Sequence, residues 1–164
     1  MSRGHRLPSL RRPLFRIGMA VCAAAMLSAC SSMPKRSVEM VAVKNEAADY
    51  SRLGDGFLAA GQYASALQYY GEALDSNVSV DNVEGVIKSR GSLGRVYLAM
   101  GSDEDANREF GDALEDARAF GRPSLVALCL SNLGELRYAM GDTDAADALF
   151  AEAEPLAVSD EAVA

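Results

Sequence analysis

From about residue 40 to residue 157, apolar residues fall at helical spacing in runs that end at a glycine. Phe57-Leu58-Ala59-Ala60 stops at Gly61, Tyr97-Leu98-Ala99-Met100 at Gly101, and Tyr138-Ala139-Met140 at Gly141. Glycine tolerates the left-handed conformation that closes a helix, so each run reads as a helix with its cap. Two of these glycines lead directly into helix-start sequences. Ser102-Asp103-Glu104-Asp105 and Asp142-Thr143-Asp144 offer oxygens to orphan N–H groups and negative charge to the positive helix end. Further on, Asp81-Asn82-Val83-Glu84 has capping-box spacing, and Gly121-Arg122-Pro123 is a stop followed by a proline suited to a new first turn. The pattern predicts helices near 40–60, 62–76, 82–100, 103–120, 123–140 and 143–157, with no strand between them.

The same pattern repeats. Leu53-Gly54, Leu93-Gly94 and Leu133-Gly134 recur every 40 residues, and four columns keep step with them: Gly61, Gly101, Gly141; Ala66, Ala106, Ala146; Tyr70, Phe110, Phe150; Ala73, Ala113, Ala153. Small residues at fixed places in paired helices mark where helices touch. Gly54, Gly94 and Gly134 lie in helix interiors, where glycine costs about 1 kcal/mol relative to alanine, so close helix approach is expected there. These residues resemble the tetratricopeptide repeat family, whose two-helix unit alternates aromatic, Leu-Gly, aromatic, Gly, aromatic, Ala, aromatic and Ala positions. Tyr50, Leu53, Gly54, Phe57, Gly61, Tyr63, Ala66, Tyr70 and Ala73 fit in order, with Val78 where the closing proline stands. Arg90 and Leu130 replace the first aromatic in the later copies, and Arg137 the second in copy three. A 40-residue unit is longer than the usual period and is similar to the extended repeats of kinesin light chain and related adaptors. The resemblance implies an all-α fold, an α-solenoid of three helix-turn-helix repeats (40–80, 81–121, 122–157) in a right-handed superhelical stack, with a C-terminal tail at 158–164.

The N-terminus has a different character. Arg3, Arg6, Arg11, Arg12 and Arg16 precede an uncharged, mostly apolar run from Ile17 to Ala29, the layout of a signal peptide. The run is shorter than the roughly 20 residues a spanning helix needs. It ends in Leu27-Ser28-Ala29-Cys30, which resembles the bacterial lipobox. That resemblance implies removal of residues 1–29, lipidation of Cys30 and anchoring in a membrane; three acyl chains, at about 0.8 kcal/mol per buried CH₂, hold a protein there essentially permanently. Ser31 after the cysteine resembles the outer-membrane sorting signal of diderm bacteria, and so implies the periplasmic face of the outer membrane. Arg11-Arg12 also resembles a twin-arginine signal, which leaves Sec and Tat export both open. Residues 30–39 read as lipidated cysteine and flexible tether; eight extended residues from Ser31 to Val38 reach at most about 27 Å.

Composition narrows the chemistry. The 164 residues carry a formal charge of -7, but residues 1–30 hold five Arg and no acid, leaving 11 basic against 23 acidic residues, a balance of -12. Such a surface repels phosphate backbones, so no nucleic-acid partner is expected. The one histidine, His5, falls in the leader, which removes the usual general base and metal ligand from the mature chain. Cys22 also falls in the leader, and Cys129 lies in the apolar run Val126-Ala127-Leu128-Cys129-Leu130, where cysteine behaves as a small buried hydrophobe. The acidic runs at 103–105 and 142–147 lack the spacing of a calcium loop. Neither catalysis nor a metal nor a cofactor is expected.

In tetratricopeptide proteins the first helix of each repeat lines the concave surface, and the resemblance places Arg52, Asp55, Lys88, Arg95, Leu98, Asn132, Glu135 and Tyr138 there as a partner-binding groove. The family's Lys and Asn carboxylate clamp is missing, since Ser51, Asp55, Ser92, Leu128 and Asn132 occupy those places. The expected function is a membrane-anchored scaffold that assembles proteins of the bacterial envelope, taking a helix or extended segment of a partner. The alternative is an accessory ligand-binding lipoprotein of an envelope transporter, pilus or cell-wall enzyme system.

Overall fold

The computed structural model describes residues 35–158. The expected leader at 1–29, the expected lipidation at Cys30, residues 31–34 of the expected tether and residues 159–164 of the expected tail lie outside the described residues. The chain divides into two units at Val38–Glu39, and the helical pairs belong to the second. All regular structure among the described residues is α-helical: α1 Lys35–Ala59, α2 Tyr63–Ser79, α3 Val83–Ala99, α4 Asp103–Phe120, α5 Pro123–Ala139 and α6 Thr143–Val158. Helix α1 begins inside the stretch read as a tether. Lys35, Arg36 and Glu39 are helix formers.

The glycine caps act as their sequence implies. Gly61, Gly101 and Gly141 have φ of +70, +73 and +83, and at each turn the same two hydrogen bonds close the helix. At the first, the N–H of Gln62 donates to the Phe57 carbonyl at 2.8 Å and that of Gly61 to the Leu58 carbonyl at 2.9 Å, a Schellman closure. The α2–α3 turn has the same closure without a glycine: Asp81 takes φ +53, and the N–H of Asn82 reaches the Asn77 carbonyl. This corrects the capping-box reading, because Asp81 ends α2 and Asn82 is the N-cap of α3, with no side-chain cap bond. Ser102 likewise makes none, whereas Asp142 Oδ1 accepts from the N–H of Ala145 at 3.2 Å.

Each Leu-Gly glycine supports an aromatic ring from the following helix. A Cβ on Gly54 would lie 2.7 Å from the Tyr70 ring and one on Gly134 2.6 Å from Phe150; on Gly94 the Phe110 ring is closer still. From α2 to α6 each helix packs on the next, α3 also packs on α5, and α1 meets α2 at Gly54 and Tyr70. One contact between alternate helices keeps the register of the sequence repeat, and a second stands one residue out of it. Arg95 faces Asp55 at 3.9 Å across α3 and α1, and Asn132 on α5 lies against Gly91 on α3. One core cluster spans α3 to α6 around Ile87, Phe110, Leu130 and Leu136; a smaller one joins Ala66, Tyr70 and Val96.

Candidate functional site

Residues of α1, α3 and α5, with Asn77 of α2, line an open cavity of about 440 Å³. Small residues, Ala47, Ala48, Gly85 and Gly91, are among its lining. Four residues expected in a groove line it: Asp55, Lys88, Arg95 and Asn132. The other four lie outside. Arg52 turns back to pair with Asp49 on its own helix, Leu98 packs on the main core, and Glu135 and Tyr138 are exposed near the end of α5.

Most polar groups of the cavity are engaged. Tyr70 donates its hydroxyl to Asp55 Oδ1 at 2.5 Å, and burial together with that bond pushes the phenol up to about 12. Arg95 donates to Ser92 Oγ at 3.0 Å, and Lys88 to Glu84 Oε1 at 2.7 Å. Two buried side chains, Asn77 and Ser89, were not foreseen. Asn77 Nδ2 donates to the Ala73 carbonyl at 2.9 Å and to Ser89 Oγ at 3.2 Å, and its Oδ1 accepts from Asn82 Nδ2 at 2.6 Å. Gly85 makes room for this cluster, since a Cβ there would collide with the Asn77 and Asn82 side chains. A signal existed: Asn77 stands in a column that continues as Ala117 and Ala157.

Asn132 is the exception among them. It is 7% exposed and lines the cavity, yet its side-chain amide makes no hydrogen bond among the described residues. An amide so placed offers a donor and an acceptor together, the complement of a peptide group, and solvent in the cavity reaches it; the buried side-chain polar atom without a hydrogen bond among the described residues is Nε of Arg90. With Lys88 and Arg95 also in its lining, the cavity presents amide and cationic groups together.

Elsewhere the chemistry is quiet. Cys129 is buried, and desolvation, with Asp116 adding to it, pushes its thiol up to about 11, far from the thiolate a nucleophile needs. Among the described residues no group of His, Cys, Asp and Glu is placed to hold a metal ion, and no helix is long and apolar enough to cross a membrane. Compared with protein-family models and with curated proteins, the chain matches none.

Proposed function

We propose that this chain is a lipoprotein of the bacterial cell envelope, anchored through Cys30, whose six helices form three tetratricopeptide-like repeats stacked as a right-handed solenoid. Its work is to hold a partner protein, with an extended segment of that partner lying in the cavity between α1, α3 and α5. The single observation that carries the binding reading is the side-chain amide of Asn132, on a residue only 7% exposed, which lines the cavity without a hydrogen-bond partner among the described residues. The 40-residue register between alternate helices, seen at Asp55 and Arg95, supports the stacked-repeat reading. The leader's charge pattern and Leu27-Ser28-Ala29-Cys30 support the anchor. The mature chain's acidic balance and lack of histidine argue for protein binding and against nucleic-acid binding or catalysis.

Two experiments test this. Cys30→Ser removes the acylated thiol, so the variant takes up no labelled palmitate and leaves the membrane fraction; a variant still labelled and sedimenting with membranes refutes the anchor. A photo-crosslinking residue at Leu128, which lines the cavity, gives an adduct of discrete mass in cells, whereas one at the exposed Glu115 does not. Asn132→Ala weakens the Leu128 adduct; equal adducts at both positions refute the groove. A second reading, accessory binding of a small ligand, draws on the cavity volume, which falls in the range of small-molecule sites. Thermal stabilisation by peptidoglycan fragments would favour it.

A further inference from the structure

Tyr70 and Phe110 are both at 0% exposure, but Phe150, the next member of their column, is 37% exposed. All three rings rest on the same support, the glycine of the Leu-Gly pair. The difference lies in the roof. Tyr70 shares its cluster with Leu93 and Val96 of α3, and Phe110 shares its own with Leu133 and Leu136 of α5. Each roof offers two apolar residues at i and i+3 on one helix face. No third roof exists among the described residues. A second column behaves alike: Leu58 and Leu98 are partly buried against the cores, and Tyr138 is 67% exposed.

Charge completes the template. Between Leu93 and Val96 stands Arg95, which faces Asp55 on the helix it covers. The residue equivalent to Asp55 in the last pair is Glu135, exposed and without an ion pair or hydrogen bond among the described residues. The end formed by α5 and α6 therefore has the glycine-supported ring of both internal junctions and the acid of the first, without a covering helix among the described residues.

We propose that this end is a docking surface for a helix of a different protein, one carrying the tetrad apolar, any residue, basic, apolar that Leu93-Gly94-Arg95-Val96 displays. A second copy of this chain fits badly. Its free face at the other end carries Leu53, 48% exposed, followed at the cation's position by Asp55. Head-to-tail stacking would set Asp55 of one copy against Glu135 of the next. The succession acid, base, acid at 55, 95 and 135 attracts inside the molecule and repels at a join, which opposes open-ended self-assembly. The residues of 159–164 include no Lys or Arg, so they do not supply the tetrad. This surface is separate from the cavity, because neither Phe150 nor Glu135 lines it.

The probe is a stapled 17-residue peptide of the Val83–Ala99 sequence, titrated into the full chain by fluorescence anisotropy. It binds saturably to the wild type, and about tenfold or more weaker to Phe150→Asp and Glu135→Arg chains whose helical circular dichroism is unchanged. An Arg95→Glu peptide binds the wild type poorly and recovers on the Glu135→Arg chain. No saturable binding to the wild type, or binding untouched by Phe150→Asp, overturns the surface. Sedimentation that shows the wild type polymerising, with Leu53→Asp dissolving the polymer, overturns the choice of a different protein as occupant.

Discussion

A methyl group added at Gly94 and one added at Gly111 have opposite consequences, although both glycines sit inside helices. At Gly94 the new carbon meets the ring of the fully buried Phe110, and overpacking of this kind costs about 1–3 kcal/mol. The gain in helix propensity returns roughly 1 kcal/mol. Gly94→Ala is therefore destabilising in urea unfolding, and Gly134→Ala less so, because the half-open Phe150 ring can swing outward. At Gly111 and at Gly71, nothing lies within 4 Å; alanine there stabilises by about 0.5–1 kcal/mol. The third member of that column is already Ala151. A residue type repeated at fixed spacing is thus legible in the sequence, but whether it is required depends on the ring above it.

Between elements, one contact position changes its chemistry from pair to pair while keeping its place. Tyr50 packs on Tyr69 with centroids 6.3 Å apart across α1 and α2. Forty residues on, Arg90 meets Glu109 at 3.4 Å across α3 and α4, and also Asp112 at 2.8 Å and Asp116 at 3.5 Å. In the last pair the same two places hold Leu130 and Leu149, both in the main core. The departures from the aromatic pattern at Arg90 and Leu130 are therefore matched by their partners, which a pattern read one column at a time does not reveal. Arg90→Leu leaves Asp112 and Asp116 without their cation and Glu109 with Arg108 alone, at 3.6 Å, and costs about 1–3 kcal/mol. Arg90→Leu with Glu109→Leu copies the Leu130–Leu149 pair and recovers most of that loss; a double mutant no better than the single one would contradict the pairing. Glu84 ties α3 to the start of α5. Its bond from Lys88, with Arg122 adding attraction, holds its carboxyl below the ordinary 4.5. A depressed carboxyl stabilises the fold above its unfolded value, and that contribution is lost as pH falls through the folded one. The melting-temperature gap between wild type and Glu84→Gln therefore closes as pH drops through 4.5 and below.

Across the whole molecule, stability is uneven. The cluster around Phe110, Leu130 and Leu136 draws on four helices, whereas the first pair depends on Ala66, Tyr70 and Val96. In repeat-built chains each unit is held chiefly by its neighbours, so amide hydrogen exchange is fastest in α1 and slowest in α4 and α5. Uniform protection from α1 to α6 would show that the smaller cluster is no weak point. Helix number, the glycine caps and the close approach at each Leu-Gly glycine were all legible in the order of the residues. Those features arise from backbone preference and from side-chain size repeated every 40 residues, and both are local or periodic. The cavity was legible only in part. Asp55, Lys88, Arg95 and Asn132 meet there, but Arg52, Leu98, Glu135 and Tyr138 do not, because pairing within one helix, packing on the core and position at the end of α5 direct them elsewhere. An all-helical chain and the places where its helices stop are thus written into the residue order itself. The burial of Asn77 with Ser89, the amide of Asn132 without a hydrogen-bond partner among the described residues and the ring of Phe150 without a roof arise only in three dimensions, because each depends on which helices close over one another.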